Sequence, residues 1–256
     1  MVDILQPPPF PVADWAFFLD FDGTLVDIAP RPEAIQVADG LTGLLENIRR
    51  IAGGAVAVVT GRTLADLDTY LHLPDLAASG VHGLERRGST GVDPREREKA
   101  RGAMAAVREC ASGLLARYPS LQVEDKGEAI AVHFRSDPER GGEVQQALAR
   151  AAEGGNGALS VLNGKMVVEV KPSAATKGAA VEAFLAQPVF AGRRPCFIGD
   201  DVTDEDGFRV CKARGGITIH VGPDTAKTLA DYRLSSPEAV HRWLEQLVST
   251  DLGAVE

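Results

Sequence analysis

The sequence predicts an α/β protein: a mainly parallel sheet with helices on both faces, and a second, α+β domain inserted into it. Three observations predict this. Short continuous apolar runs, of the kind that suit strands buried on both faces, recur along the chain and stop at a polar residue or glycine. Amphipathic helical stretches lie between several of them, which is the alternation of a doubly wound sheet. The rhythm then breaks once, from about Val92, into a helix-strand-strand pattern that occurs twice.

In chain order, Gln6 to Pro11 holds four prolines and reads as an extended lead-in. Trp15 to Leu19 is the first apolar run and stops at Asp20. Later runs are Ala55 to Val59, Leu76 to Ser79, Cys196 to Ile198 and Gly216 to His220. The helical stretches are Leu41 to Ile51, Leu64 to Leu71, Lys177 to Ala186, Asp204 to Cys211 and Pro237 to Val248. In the middle of the chain the order is helix (Pro94 to Tyr118), strands (Leu121 to Asp125, Ala129 to Arg135), helix (Asp137 to Ala152) and strands (Ala158 to Leu162, Met166 to Lys171). Lys126-Gly127-Glu128 and Asn163-Gly164-Lys165 join the two strand pairs, and an Asn-Gly turn is a strong hairpin signal, so this sheet should be antiparallel. The expected organisation is an α/β core of residues 1–91 and 173–256 with residues 92–172 inserted as a second domain, a cap.

Composition limits the function classes. The chain has 256 residues, 45% hydrophobic and 25% charged, the profile of a globular enzyme long enough to bury a core without metal or disulfide staples. A net charge of −9 disfavours nucleic acid and anionic membrane as partners. Residues 92–172 carry 12 basic and 12 acidic side chains, so the whole acidic excess lies in the core. The odd number of cysteines (Cys110, Cys196, Cys211) without a CxxC pair argues for a reducing compartment. No apolar run approaches a membrane span, and the first basic residue is Arg31, unlike the start of a secretory signal; a cytoplasmic monomer is expected.

The chemistry-bearing residues follow the strands. Asp20 and Asp22 stand at i and i+2 just past the first run, before a glycine turn; a helix cap or Asx turn would account for one of them but not both. Asp200, Asp201 and Asp204 follow another run within a stretch of five carboxylates in seven residues, which repel unless a cation or helix N-terminus compensates. Part of this cluster reads as capping, with Thr203 as N-cap and Asp206 three residues on. Hard oxygen donors in two clusters suit Mg²⁺, and the lack of His/Cys spacing disfavours zinc. Thr60-Gly61-Arg62 ends a strand and opens a helix, a place for an anion, and Lys177 puts an ammonium at another helix start, where a solvated surface lysine is the commoner reading. There is no P-loop.

In the cap, Glu124 and Lys126 project to one face of the first hairpin, as do His133 and Arg135 on its partner, and Lys165 and Glu169 share a face of the second. Mixed carboxylates and amines suit a neutral polyhydroxylated ligand, although solvated cross-strand ion pairs would look the same. His82, with Gly83, follows a core strand and either faces the ligand or serves as a structural histidine.

Asp20-x-Asp22-Gly23-Thr24, then Thr60, Lys177 and Gly199-Asp200-Asp201-x-x-Asp204, in this order, resemble the haloacid dehalogenase superfamily of phosphotransferases. The resemblance implies a Rossmann-like core, Asp20 as nucleophile forming an aspartyl-phosphate, and Asp22 as acid and then base. It also implies phosphoryl oxygens held by Thr60, Gly61, Arg62 and Lys177, and Mg²⁺ held by Asp20, the carbonyl of Asp22 and Asp200, with Asp201 and Asp204 nearby. Phe18 to Leu25, Gly80-Val-His-Gly83, Val123-Glu-Asp-Lys126 with His133-Phe-Arg135, and Glu169-Val-Lys-Pro172 resemble more narrowly the trehalose-6-phosphate phosphatase family, over about residues 17–245. That implies hydrolysis of trehalose 6-phosphate, a small-molecule substrate, in trehalose biosynthesis, with Glu124, Lys126, Arg135, Lys165 and Glu169 on the disaccharide. Thr176, Ala174, Leu84 and Phe134 stand where the family commonly has Asn, Gly, Ala and Tyr, and none removes a group the reaction needs. The alternatives are a phosphatase of sucrose 6-phosphate or mannosyl-3-phosphoglycerate, or a non-catalytic sugar-phosphate-binding regulator.

Overall fold

The computed structural model describes residues 14–29, 34–89, 91–164, 166–223 and 227–253, the last three without their side chains. The proline-rich lead-in and Lys165 lie outside the described residues. The chain divides into two compact units, Met1–Gly91 with Thr176–Glu256, and Val92–Ala175. The return from the second unit falls three residues beyond the 172 expected from sequence. The reason is local bonding: Ser173 N–H donates to Ala158 O at 2.9 Å, Ala175 N–H to Pro172 O at 3.0 Å, and Lys171 Nζ to Ala175 O.

In the first unit the elements run β1 (Trp15–Leu19), α1 (Leu41–Ile51), β2 (Val56–Val59), α2 (Leu64–Leu71), β3 (Ala77–Gly80) and β4 (Glu85–Arg87). In the second they run α3 (Pro94–Arg117), β5 (Gln122–Asp125), β6 (Ile130–His133), α4 (Gly141–Glu153), β7 (Leu159–Gly164) and β8 (Val167–Pro172). The first unit resumes with α5 (Lys177–Leu185), β9 (Arg194–Gly199), α6 (Glu205–Ala213), β10 (Ile217–Val221), β11 (Tyr232–Leu234) and α7 (Pro237–Gly253).

The seven strands of the first unit lie in the order β11-β10-β9-β1-β2-β3-β4, all parallel except β4. Alternation along each strand divides the side chains between two cores. Phe17, Leu19 and Val58 pack with α1, α2 and α7 on one face, and Phe18, Val59 and Phe197 with α5 and α6 on the other. The chain steps from β1 to β2 and β3 in one direction and from β9 to β10 and β11 in the other, so the topological switch falls between β1 and β9. That crevice, at the carboxyl ends of the strands, is where doubly wound sheets bind ligands. Among the described residues no helix is long and apolar enough to cross a membrane.

The second unit is a four-stranded antiparallel sheet, β5-β6-β8-β7, with α3 and α4 packed on its apolar face through Met104, Val107, Val144, Leu148 and the strand residues Val132 and Val170. Two details differ from the sequence reading. Asn163 and Gly164 do not form the hairpin turn: they pair with Val168 and Val167 as part of β7, and it is Met166 that takes a left-handed φ of 65°. Strands β4 and β11 have no sequence signal, because three residues at a sheet edge need no apolar run; Glu85-Arg86-Arg87 is charged, as suits an edge.

Phe184 is fully buried, 6.1 Å from Phe18 and 5.4 Å from Phe190 between ring centroids. Phe184→Ala should therefore destabilise the protein by about 3–5 kcal/mol, read from the denaturant midpoint at constant slope. A loss below 1 kcal/mol would mean that this aromatic cluster does not hold α5 to the sheet.

Candidate active site

Parallel strands end along one edge of a sheet, so residues that immediately follow adjacent strands converge whatever their distance in sequence. Asp200 follows β9, Asp20 follows β1 and Thr60 follows β2, and these three strands are neighbours at the centre of the sheet. His82 stands just beyond β3, the next strand along. Lys177 opens α5, whose Thr176 hydroxyl caps the helix by accepting from Ala179 N–H at 3.0 Å.

Lys177 is buried with its Nζ 2.7 Å from Asp20 Oδ1 and 2.6 Å from Asp204 Oδ1. Burial alone would lower the lysine's pKa, but the two carboxylates outweigh it and hold the ammonium charged. The other oxygen of Asp204 accepts from the backbone N–H groups of Asp200 at 3.0 Å and Asp201 at 2.9 Å. Asp204 thus fixes the acidic loop from behind. Asp201 and Asp204 form a capping box, and the Asp201 carboxylate, which is exposed, accepts from Val202 N–H. The cap of this segment is accordingly Asp201, two residues before the Thr203 that the sequence suggested, because Asp204 is the residue able to reach back to the loop N–H groups.

Of the five aspartates taken as metal ligands from sequence, the structure brings three together: one carboxylate oxygen each from Asp20, Asp200 and Asp204, all within 4.8 Å of one another. The carboxyl groups of Asp20 and Asp200 lie within hydrogen-bonding reach of each other. Burial, then the Asp204 charge, pushes Asp20 well above the usual carboxylate range, and the same causes raise Asp200 to about 7. Two glycines make the crowding possible. At Gly23, with φ of 78°, a Cβ would stand 2.1 Å from Asp200 Oδ2, and at Gly199 it would stand 2.3 Å from Asp204 Cγ.

Asp22 is not in that cluster. Its two oxygens accept from Arg62 Nε and Nη2, both at 2.7 Å, a bidentate pair, while Arg62 Nη1 donates to Asp66 at 2.6 Å. The guanidinium lies 5.1 Å from the Tyr70 ring centroid and is 8% exposed. Arg62, expected from the sequence to bind phosphate, turns its side chain to carboxylates instead. Its backbone N–H donates to Thr60 Oγ1 at 3.1 Å, which leaves the Thr60 hydroxyl proton to donate elsewhere. Asp66 and Tyr70, unnoticed in the sequence, stand four and eight residues after Arg62, a helical spacing that marks one face of α2. His82 adopts a left-handed φ of 53°, donates its N–H to Thr60 O at 3.0 Å and lays its ring against Gly61; Gly83 packs on the Thr176 backbone.

In the second unit the register sets Glu124 opposite Ala131 and Ala131 opposite Glu169, so the two glutamates flank an alanine on the polar face of the sheet. His133 Nε2 lies 3.2 Å from Glu124, and Lys126 Nζ 3.2 Å from Glu169. The hydrogen bond to His133 is the main cause that holds Glu124 below its ordinary pKa. Lys171, not singled out in the sequence, is buried on the same strand as Glu169, two residues on. Arg135 lies in the turn after β6.

Residues 18–238 match the sequence model of the trehalose-phosphatase family. A probable trehalose-phosphate phosphatase of Sinorhizobium fredii is 38% identical over 93% of this chain and 89% of its own. The trehalose-6-phosphate phosphatase of Escherichia coli is 34% identical over 97% and 92%. The solved C-terminal domain of a C. albicans trehalose-6-phosphate phosphatase superposes with a TM-score of 0.80 over 93% of this chain and 92% of that one, at 23% identity. The fold is that of the haloacid dehalogenase superfamily. A match over most of the chain, together with relatives above 30% identity covered nearly end to end, means that this protein belongs to the trehalose-phosphatase family of phosphoric monoester hydrolases.

Proposed function

We propose that the protein is a Mg²⁺-dependent phosphatase that hydrolyses trehalose 6-phosphate to trehalose and phosphate through an aspartyl-phosphate on Asp20. The observation that carries this reading is the meeting of Asp20, Asp200 and Lys177 beside Thr60 at the ends of adjacent strands, in a chain whose relatives are named for that substrate.

The residues fit a divalent cation. Three carboxylates against one ammonium leave two negative charges in excess, and Asp20 and Asp200 approach too closely for both to be ionised without one. Asp20 and Asp200 would hold Mg²⁺, because the Asp204 oxygens are already taken by Lys177 and two N–H groups. When bound, Mg²⁺ supplies charge neutralisation and Lewis-acid polarisation of the phosphoryl group. Lys177 holds Asp20 in place and offers positive charge to the transferring phosphoryl oxygens, and the Thr60 hydroxyl donates to one of them. Both Asp22 oxygens accept from Arg62, so Asp22 must release one of these hydrogen bonds to carry the proton that it gives to the departing sugar oxygen; it then accepts a proton from the attacking water. Arg62 therefore acts on the reaction through Asp22.

Glu124, Lys126, His133 and Glu169 on the polar face of the second unit recognise the disaccharide together with Arg135 and Lys165, carboxylates accepting from sugar hydroxyls and cations donating to them. The free cysteines Cys110, Cys196 and Cys211 support a reducing, cytoplasmic location.

Phosphate release from a panel of sugar phosphates, with and without chelator, tests the reading. Trehalose 6-phosphate should be preferred, chelator should abolish turnover, and Asp20→Asn should lower kcat by about 1,000-fold or more. Turnover that survives chelation, or preference for sucrose 6-phosphate or mannosyl-3-phosphoglycerate, contradicts it. Glu169→Gln should raise KM for trehalose 6-phosphate about tenfold, as expected when a buried hydrogen-bonding group no longer matches its sugar partner. An unchanged KM would remove Glu169 from the sugar site.

The crowded carboxylates also set a pH dependence. Because the folded-state pKa of Asp200 is raised, the stability linked to it is present below the ordinary carboxylate value near 4, declines as pH rises towards about 7, and is flat above. In chelator, the melting temperature of Asp200→Asn should therefore gain on the wild type between pH 5 and pH 8. A pH-independent difference between the two would mean that the repulsion is absent.

A further inference from the structure

We propose that His241 is a positioning residue for the turn that carries Asp20 and Asp22. Its Nε2 lies 2.8 Å from the carbonyl oxygen of Leu25, 216 positions away in the chain. His241 stands on α7, beyond the end of the family match at residue 238, and nothing in the motifs points to it. The inference rests on Asp20 and Asp22 being the reacting carboxylates, as proposed above.

Within the turn, Phe21 O accepts from Thr24 N–H at 3.3 Å, Leu25 N–H at 2.8 Å and Val26 N–H at 3.1 Å, and Gly23 N–H donates to Val26 O at 2.7 Å. The peptide group between Leu25 and Val26 is therefore fixed at its N–H end from within the turn and at its C=O end by the imidazole. This same peptide leads into the Val26 carbonyl that anchors Gly23, and Gly23 is the residue packed tightly against Asp200. Asp22 and Val26 form a bridge across it. A tilt of the 25–26 peptide would be passed through Gly23 to the Asp22 carboxylate and to the approach of Asp20 to Asp200.

His241 is suited to the task. Val240, Trp243 and Leu244 on the same helix are buried in the core that also contains Leu25, so α7 cannot shift without disturbing that core. A carbonyl only accepts, so Nε2 carries the hydrogen, and both the neutral Nε2–H tautomer and the imidazolium make this bond. The anchor is thus independent of the histidine's charge. Glutamine is the natural replacement: its amide nitrogen lies the same number of bonds from Cα as Nε2. Phenylalanine keeps the ring without the donor, and asparagine carries a donor one bond short.

The test compares His241→Phe, His241→Gln and His241→Asn. Phosphate release from trehalose 6-phosphate should show kcat lowered about 10- to 100-fold in the Phe and Asn variants, with KM within about twofold, and recovered in Gln, the loss expected for a misplaced reacting group. Amide hydrogen exchange of the peptide covering residues 19–28 should be faster in Phe and Asn and normal in Gln, whichever sugar phosphate the enzyme prefers. Failure of the wild type to release phosphate would count against the functional reading, whereas the exchange result stands apart from it. A Phe variant with wild-type kcat and exchange, or a Gln variant as impaired as Phe, overturns the proposal.

Discussion

Lys177 Nζ sits 2.7 Å from Asp20 and 2.6 Å from Asp204, with all three side chains withdrawn from water. Removing such a group from water costs several kcal/mol per ion, recovered only where every partner is in place. Much of the first unit meets that demand. Parallel pairing of β9 with β1 brings the two aspartate-bearing loops side by side. The capped start of α5 aims the lysine at them, and the capping box at Asp201 holds Asp204 with its second oxygen satisfied. Gly23 and Gly199 are required because no side chain fits between loops drawn so close.

A similar economy of partners operates around Asp22. Arg62 takes both of its oxygens, and the guanidinium is itself confined by Asp66 and the Tyr70 ring. Burial would lower the arginine's pKa, but Asp22 and Asp66 raise it above its ordinary value. The two carboxylates of the Asp-x-Asp motif, two residues apart, therefore live in different surroundings. Asp20 shares a lysine in a crowd of acids, whereas Asp22 has an arginine at hand. For the proposed roles, Asp20 needs the crowding by acids relieved by a cation, and Asp22 can carry a proton only when Arg62 releases one of its oxygens.

How much of this was legible in the sequence depends on the range of the forces involved. The central strands were legible because β1, β2 and β9 are buried on both faces and must be apolar without interruption. The strand-end residues Asp20, Thr60 and Asp200 were legible for the same reason, as polar residues that interrupt such runs. Edge strands β4 and β11 were not, since three residues paired on one side impose no pattern. Asn163-Gly164 misled because an Asn-Gly pair favours a turn without compelling one, and register with Val168 and Val167 decided otherwise. Arg62 misled in another way: a cation beside a strand end suits a phosphate, but a carboxylate brought close by folding, 40 residues away in sequence, was the stronger partner. Tertiary pairings of this sort leave no local trace.

The acidic excess of the chain acquires a specific meaning here. Residues 92–172 are balanced, so the net charge of −9 belongs to the remainder, where Asp20, Asp200 and Asp204 face one lysine. A divalent cation would balance both of the cluster's excess charges, whereas a second lysine would balance only one and would fill the space with a side chain whose hydrogen bonds were already spent on the aspartates. A divalent cation held by Asp20 and Asp200, as proposed above, would supply the positive charge that an incoming phosphoryl group needs. On that reading, a cluster that its own residues leave short of positive charge is what would draw a cation, and with it an anion, into an acidic site.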